Sequence, residues 1–255
     1  MVVVIDSEPA SLVDALALAW REGRPLSAET ATRLAPEGSD DAYAIQAALG
    51  ERLGWWPMGR PHGWKLAIGE LPKAAPIPDG LYQYSPAQMR HCVSVAGIEV
   101  ELAVRLSRPL PAGASRAQAE AAVGETLAVI EGFDVRAERW RELAPAFLLA
   151  DLQMHGGLVI GTGMPGWAGD TALTLEVTGR VPAPTGWQHP LGDPLALLPW
   201  LADHAASRGW PLQAGDLVAT GSWCGMLEVP PGGGVIAKFQ GVGEVSLQRA
   251  ADPEA

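Results

Sequence analysis

GIEVELAVRL, residues 97–106, decides how the rest of the chain is read. Ile98, Val100, Leu102, Val104 and Leu106 alternate with Glu99, Glu101, Ala103 and Arg105, the period of a half-buried β-strand. Glu99 and Glu101 therefore point to one side, roughly 6–7 Å apart at two residue rises. Two carboxylates so placed repel unless a cation lies between them or water screens both. A solvent-facing strand edge would supply the water. A metal site would supply the cation. Three other segments bear on the choice. Glu131, in LAVIEGFDVR, interrupts another apolar run and could converge with the first pair. Lys65, between Trp64 and Leu66 in HGWKLAIG, would be costly to bury unpaired. Residues 215–225, GDLVATGSWCG, read as a strand ending in a Thr-Gly-Ser turn.

Around this strand lie 255 residues, 48% hydrophobic, enough for one large core or for one domain with a smaller helical annex. The net charge of −11 has the wrong sign for a nucleic-acid or anionic-membrane surface. Met1–Ile5 is apolar but has no basic segment before it, and Asp6, Glu8 and Pro9 follow at once, which predicts no signal peptide. No uncharged apolar run approaches membrane-spanning length. Cys92 and Cys224 form neither a C-x-x-C pair nor a disulfide framework. A cytoplasmic protein is expected.

Two regions follow from the patterning. Residues 1–60 read as helical: Ser7 and Pro9 open a segment with Leu12, Leu16, Ala19 and Trp20 on one stripe, and Ser39 can cap a second with Ala42, Ile45, Leu49 and Leu53. Residues 61–255 read as short strands and turns, interrupted by two helices. One starts at Ser115 with Gln118 completing a capping box and runs to about Leu127. The other spans Asp193 to about Gly209, with Leu198, Leu201, Ala202 and Ala205 buried and Pro199 bending it or shifting its start. The fold class expected is α+β.

GTGMPG, residues 161–166, matches G-x-G-x-x-G, but the strand-like TALTLEV follows where a dinucleotide fold needs a helix, so a strand-to-strand loop is expected. Histidines 62, 91, 155, 189 and 204 show no zinc spacing. His204 reads as a solvated helix residue. His155, in DLQMHGG, lies where a helix-like stretch meets two glycines, either a catalytic group or an ordinary polar loop residue.

The ordered set GWKLAIG, E-V-E, VIEGFDVR, D-x-x-x-x-G-G-x-V-I-G, GDPLALLPWLADHAASRGWPLQAGDLVATGS and AKFQGVGEVSL resembles the fumarylacetoacetate hydrolase superfamily. Within it the likeness is to the 2-keto-4-pentenoate hydratase and 2-oxo-3-hexenedioate decarboxylase branch, from about residue 40 onward. The resemblance implies a helical region packed on a mixed, curved β-roll. It implies Mg²⁺ or Mn²⁺ held by Glu99, Glu101 and Glu131, an all-oxygen set suited to hard cations. It implies a small-molecule 2-oxo acid substrate, Lys65 and Asp151 as catalytic candidates, and Thr220, Gly221, Ser222 and Leu81 as substrate-binding candidates; His155, where the chain leaves the branch pattern, is a further catalytic candidate on its own chemistry. A homo-oligomer is expected, with a pathway partner of the same superfamily as a further possibility.

This chain departs from the branch after Asp151, where Leu152-Gln153-Met154-His155 replaces the usual Asn-Ala-Ser-Ser. Its 10 tryptophans, with Trp55, Trp56, Trp64, Trp167, Trp187 and Trp223 near proposed loops, suggest a bulkier substrate or a closing lid. The expected activity is that of a metal-dependent lyase, hydratase ahead of decarboxylase. The alternatives are an acylpyruvate-type hydrolase, or a weakened relative that keeps the metal and serves as a partner subunit.

Overall fold

A computed structural model describes residues 9–251 except 57, 91, 96 and 179–185. The helices α1 (Leu12–Glu22), α2 (Ala28–Arg33) and α3 (Ser39–Leu53) come first. They are followed by β1 (Gly63–Ala67), β2 (Lys73–Pro76), β3 (Tyr82–Tyr84), β4 (Ala87–Gln88), β5 (Gly97–Leu106), α4 (Arg116–Ala122) and β6 (Val123–Phe133). Then come α5 (Pro145–Ala150), β7 (His155–Pro165), β8 (Leu173–Val177) and α6 (Leu198–Ser207). The chain closes with β9 (Leu217–Ser222), β10 (Leu227–Glu228), β11 (Gly234–Phe239) and β12 (Gly243–Gln248).

The larger sheet runs β2-β1-β9-β5-β6-β7-β3, with β10 also paired to β5, and the smaller runs β4-β12-β11-β8. Pairs β1/β9, β3/β7 and β4/β12 are parallel and the rest antiparallel, so both sheets are mixed. The larger sheet curls until β3, at one edge, reaches β1, next to the other edge. A Cβ on Gly63 of β1 would stand 1.7 Å from the Tyr82 hydroxyl of β3, so the approach requires glycine. Ile77, beside one edge, and Tyr82, on the other, pack into one cluster with Ala103, Val129, Leu158 and Ala219 inside the curl. The outer face carries Ile98, Val100 and Ile130 against Val235, Phe239 and Val245 of the smaller sheet. Strand β5 is thus covered on both faces rather than half-buried.

Trp64, Val104, Leu106 and Val218 pack beneath α4 and α6. The first helices share a further cluster with Val135, Ala137 and Phe147, so the stripe of α1 is buried by the segment leading into α5. Among the described residues no helix is long and apolar enough to cross a membrane.

Several boundaries differ from expectation for local reasons. Ser11 caps α1, and Ser7 lies outside the described residues. Gly38 holds the cap position of α3, with Ser39 as its first helical residue, and the unanticipated α2 is capped by Ser27. The Ser115/Gln118 capping box forms, but α4 ends at Ala122, because Val123 onward enters the ladder opposite β5. Pro199 shifts the start of α6 to Leu198, which leaves the expected buried stripe intact. Residues 161–165 of GTGMPG form the outer end of β7 rather than a loop, and Gly166 turns the chain just past it. There β12 crosses so closely that a Cβ on Gly161 would stand 2.2 Å from the Glu244 carbonyl oxygen.

The tryptophans build an interior. Trp20, Trp55, Trp56, Trp210 and Trp64 form a chain of ring contacts that ends on His204. His204 is stacked on Trp200 and touches Tyr43, so it is an aromatic packing residue rather than a solvated one. Burial pushes its pKa down to about 4.

Candidate metal and substrate site

Period two in β5 sends Glu99 and Glu101 inward beside Ala103, and the antiparallel register sets Glu99 directly opposite Glu131 of β6. One oxygen from each of the three carboxylates lies within 4.8 Å of the other two. Glu101 and Glu131 are fully buried, which removes the solvent-edge reading.

The chain holds one oxygen of each buried glutamate and leaves the other. Gly221 N–H donates to Glu101 Oε2 at 2.8 Å, and Glu101 Oε1 has no partner. On Glu131, Oε1 receives both Lys65 Nζ, at 2.5 Å, and His155 Nδ1, at 2.8 Å, while Oε2 has none. Burial and the neighbouring negative charge of Glu131 raise Glu99 to about 7, against the pull of Lys65 and the Ser222 hydroxyl. Burial and the charges of Glu131 and Glu99 drive Glu101 well above the usual carboxylate range. Burial acts upward on Glu131 too, yet Lys65 and His155 together hold it below its ordinary value. The metal-free site therefore cannot keep all three carboxylates charged at little cost. A hard divalent cation fits the two orphaned oxygens, the all-oxygen donor set and the net negative charge.

Lys65 is itself 2% exposed, donates to the Gln153 carbonyl at 3.0 Å and lies over the Phe133 ring at 5.0 Å. Glu99, Lys65 and Ser222 line a cavity of about 300 Å³ whose remaining wall includes Ile68, Phe133, Gln153, Met154 and Pro190. No tryptophan is among its described lining residues, whereas Trp167 and Trp223 line a neighbouring cavity with His189.

Other expected residues face elsewhere. Asp151 is buried against Arg136, accepting from its backbone N–H at 2.8 Å and from Nε at 2.7 Å, and does not line the cavity. His155 is not a loop residue but opens β7, with Nδ1 on Glu131 and Nε2 buried without a partner. Burial lowers its pKa, assisted by the charges of Lys65 and Arg136 and opposed by Glu131. Thr220 gives its hydroxyl to the Leu102 carbonyl, and the Gly221 N–H is engaged by Glu101, so of that segment Ser222 alone reaches the cavity. The segment is strand β9, not a hairpin turn. Leu81 is half-buried at the end of a short 3-10 turn, its carbonyl near Gly157 and away from the cavity lining.

Sequence reasoning missed Arg136, whose signal was its place two residues past Asp134 in VIEGFDVR, and missed Gln153 as a cavity residue, whereas Met154, read as altering the pocket, does line the cavity. Leu152, Gln153 and Met154 all adopt left-handed backbone, with φ of 49°, 53° and 63°, a conformation uncommon for such side chains and invisible in local pattern.

Comparisons with known proteins place this geometry. The model of the fumarylacetoacetate (FAA) hydrolase C-terminal family matches residues 78–248. A 2-keto-4-pentenoate hydratase of Paraburkholderia phymatum is 31% identical over 231 residues, spanning 82% of this chain and 86% of its own length. The 2-keto-4-pentenoate hydratase 2 of Dechloromonas aromatica is 31% identical over 256 residues, spanning 93% and 96%. Among solved structures, a 4-oxalocrotonate decarboxylase from Pseudomonas putida G7, complexed with magnesium and adipate, superposes with a TM-score of 0.77. It is 22% identical and covers 95% of this chain and all of its own, a likeness of fold. Since the family match takes in both β5 and β6, where the three glutamates face one another, the chain belongs to the fumarylacetoacetate hydrolase C-terminal family.

Proposed function

We propose that the protein is a divalent-metal-dependent lyase acting on a 2-oxo acid or its 2-hydroxydienoic form, adding water across the remote double bond as a hydratase does. The observation that carries this reading is the half-satisfied trio: Glu101 and Glu131 each have one oxygen held by N–H donors and one buried without a partner. The two hydratase relatives support the reaction class. The magnesium complex of the decarboxylase neighbour supports Mg²⁺, with Mn²⁺ as the equivalent hard ion. When bound, the ion supplies a Lewis acid toward the carboxylate and 2-oxo oxygens of the substrate.

The chain's own groups divide the remaining work. Lys65, at the cavity wall, donates to a substrate oxygen and moves the proton exchanged between enol and oxo forms. Ser222 offers a hydroxyl beside Glu99 for the substrate carboxylate. His155 positions Glu131 through Nδ1 and does not meet the substrate, and Asp151 holds Arg136 behind it. A homo-oligomer and a partner of the same superfamily belong to this same reading.

The test is turnover of 2-hydroxypenta-2,4-dienoate with Mg²⁺, followed by loss of dienol absorbance, beside metal-dependent binding of oxalate. Turnover that requires metal and disappears in Lys65→Met, with the variant still folded, is expected. Oxalate binding of equal strength with and without metal would remove the chelate from the mechanism.

A further inference from the structure

Strands β5 and β9 pair Glu101 with Ser222 and Ala103 with Ala219, so Thr220 and Gly221 together stand opposite Leu102 alone. The extra residue is a bulge, which disrupts the ladder locally. Here the peptide joining Thr220 to Gly221 sends its N–H to Glu101 Oε2 at 2.8 Å. The carbonyl of that same planar group points the opposite way and lies 3.1 Å from His189 Nε2. A carbonyl only accepts, so Nε2 carries the ring proton and donates it. Nδ1 accepts from the Leu191 N–H at 3.4 Å, and the His189 carbonyl accepts from the Gly192 N–H at 2.8 Å. Trp223 packs against the ring edge-to-face, with centroids 6.1 Å apart. His189 is thus a neutral ring, 4% exposed, with both nitrogens engaged. The chemistry proposed above makes no use of it.

The peptide needs such a partner. Gly221 has φ of 111°, backbone that favours glycine, and a glycine lets the peptide before it rotate at little steric cost. No larger residue fits, since a Cβ there would stand 2.9 Å from Ile68 Cδ1 and 3.4 Å from His189 Nε2. The Thr220 hydroxyl ties the strand to the Leu102 carbonyl but leaves the plane of the next peptide unset. A donor at the carbonyl sets that plane. It also polarises the group, which makes the N–H at its other end the stronger donor. Among the described residues, that N–H is the one hydrogen-bond donor to Glu101, and it is what leaves Oε1 as the open oxygen. Both buried glutamates therefore lead back to a buried histidine. His155 bonds Glu131 directly, and His189 reaches Glu101 through one peptide.

We infer that His189 is a positioning residue of the metal site, acting on Glu101 through the peptide between Thr220 and Gly221 and so setting which oxygen of Glu101 is open to the cation. The inference rests on the metal-site reading above and adds to it a residue that touches neither the cation nor its carboxylate ligands.

The test compares the full chain with two variants. His189→Phe keeps an aromatic ring and loses the donor, whereas His189→Gln keeps an amide that donates to the Thr220 carbonyl and accepts from the Leu191 N–H. Two quantities are read in each: Mn²⁺ affinity by titration, and the NMR shift of the Gly221 amide proton in the metal-free protein. His189→Phe should bind Mn²⁺ about tenfold more weakly, the lower end of the ~10–100-fold that loss of an outer partner costs. Its Gly221 amide proton should move upfield as the bond to Glu101 weakens, and His189→Gln should recover at least part of both changes. Unchanged affinity in His189→Phe overturns the inference, and so does lost affinity with an unmoved Gly221 amide. A His189→Gln variant as impaired as His189→Phe overturns it as well, because ring shape rather than the donor would then matter. Where His189→Phe does not fold, the unaltered protein decides: ring-nitrogen NMR shifts should show a neutral His189 with its proton on Nε2, and a proton on Nδ1 overturns the inference. Failure of the unaltered chain to bind Mn²⁺ overturns the metal reading and this inference with it, while Mn²⁺ binding that ignores His189 leaves the metal reading standing.

Discussion

Asp151 and Glu131 are both completely buried, and their surroundings treat them in opposite ways. Both oxygens of Asp151 accept from Arg136, whose remaining donors reach the Asp151 and His155 carbonyls. Burial still raises Asp151 to about 6 against the attraction of Arg136, which leaves it ionised at neutral pH. This pair is closed, with each donor matched. Glu131 keeps one oxygen open, as does Glu101, and three clustered carboxylates face a single lysine. The closed pair braces the backbone where β7 begins. The open trio is incomplete without a cation, and the difference lies in how many donors reach each oxygen rather than in burial.

The largest effect is expected from opening the closed pair. Arg136→Met leaves Asp151 buried without a counter-charge and should destabilise the fold by about 3–5 kcal/mol, a loss read by chemical denaturation. Excess Mg²⁺ should not restore it, since the brace lies outside the metal site. A loss under about 1 kcal/mol would mean the brace is dispensable.

Glu101→Gln should act in the reverse manner. It removes a ligand and also removes a buried, like-charged carboxylate, so the metal-free fold should be as stable as before or more so. Metal affinity, measured by Mn²⁺ titration, should fall by more than the ~10–100-fold that loss of an outer partner costs. Unchanged affinity would take Glu101 out of the site.

His155→Ser should cost about 10–100-fold in metal affinity through loss of the donor to Glu131. Saturating metal should then recover most turnover, and His155→Gln, which keeps an N–H donor, should recover part of the affinity. Turnover lost at saturating metal, together with one limb of the pH–rate profile, would make His155 an acid–base group instead.

The smallest effects are in pH, and they carry opposite signs in two regions. Glu99 has its folded pKa raised to about 7, so between the unfolded value and about 7 the folded metal-free protein binds more protons than the unfolded chain. Stability of the metal-free protein should fall as pH rises through that window, and Mg²⁺ should flatten the fall. His204 has its folded pKa lowered to about 4, so the unfolded chain binds more protons between about 4 and the ordinary histidine value. Its contribution should strengthen as pH rises over that range, and His204→Phe should remove it. Thermal melts of the metal-free protein and of each variant across pH 4–8 separate the two. A metal-free protein whose stability rises monotonically in both Glu99→Gln and unaltered forms would contradict the raised Glu99.

Much of this was legible in local pattern. Alternation in GIEVELAVRL puts Glu99 and Glu101 on one face because strand geometry repeats every two residues, whatever the fold. The capping box at Ser115 and the stripe of α6 were equally local, since each needs only contacts within a few residues. The ordered motifs were enough to place Glu131 and Lys65 beside that pair. The end of α4 was not legible: Val123 to Leu127 can serve a helix or a strand, and the ladder with β5 decides.

Residue types and their order thus specify the kind of chemistry: three carboxylates, a buried lysine and an acidic chain built around a curved, mixed sheet. Tertiary structure alone decided which atoms are free to perform it. Lys65 and His155 reach the same oxygen of Glu131 from 66 and 24 residues away, Gly221 closes one oxygen of Glu101 across 120, and Thr220 turns its hydroxyl to Leu102 across 118. The left-handed turn at Leu152–Met154 has no local signal either, because residues without glycine's freedom take that backbone only when distant donors such as Lys65 and Asp134 hold it there. Residue type and spacing set which groups exist, whereas the number of donors reaching each buried oxygen is a sum over contacts that only the folded chain brings together.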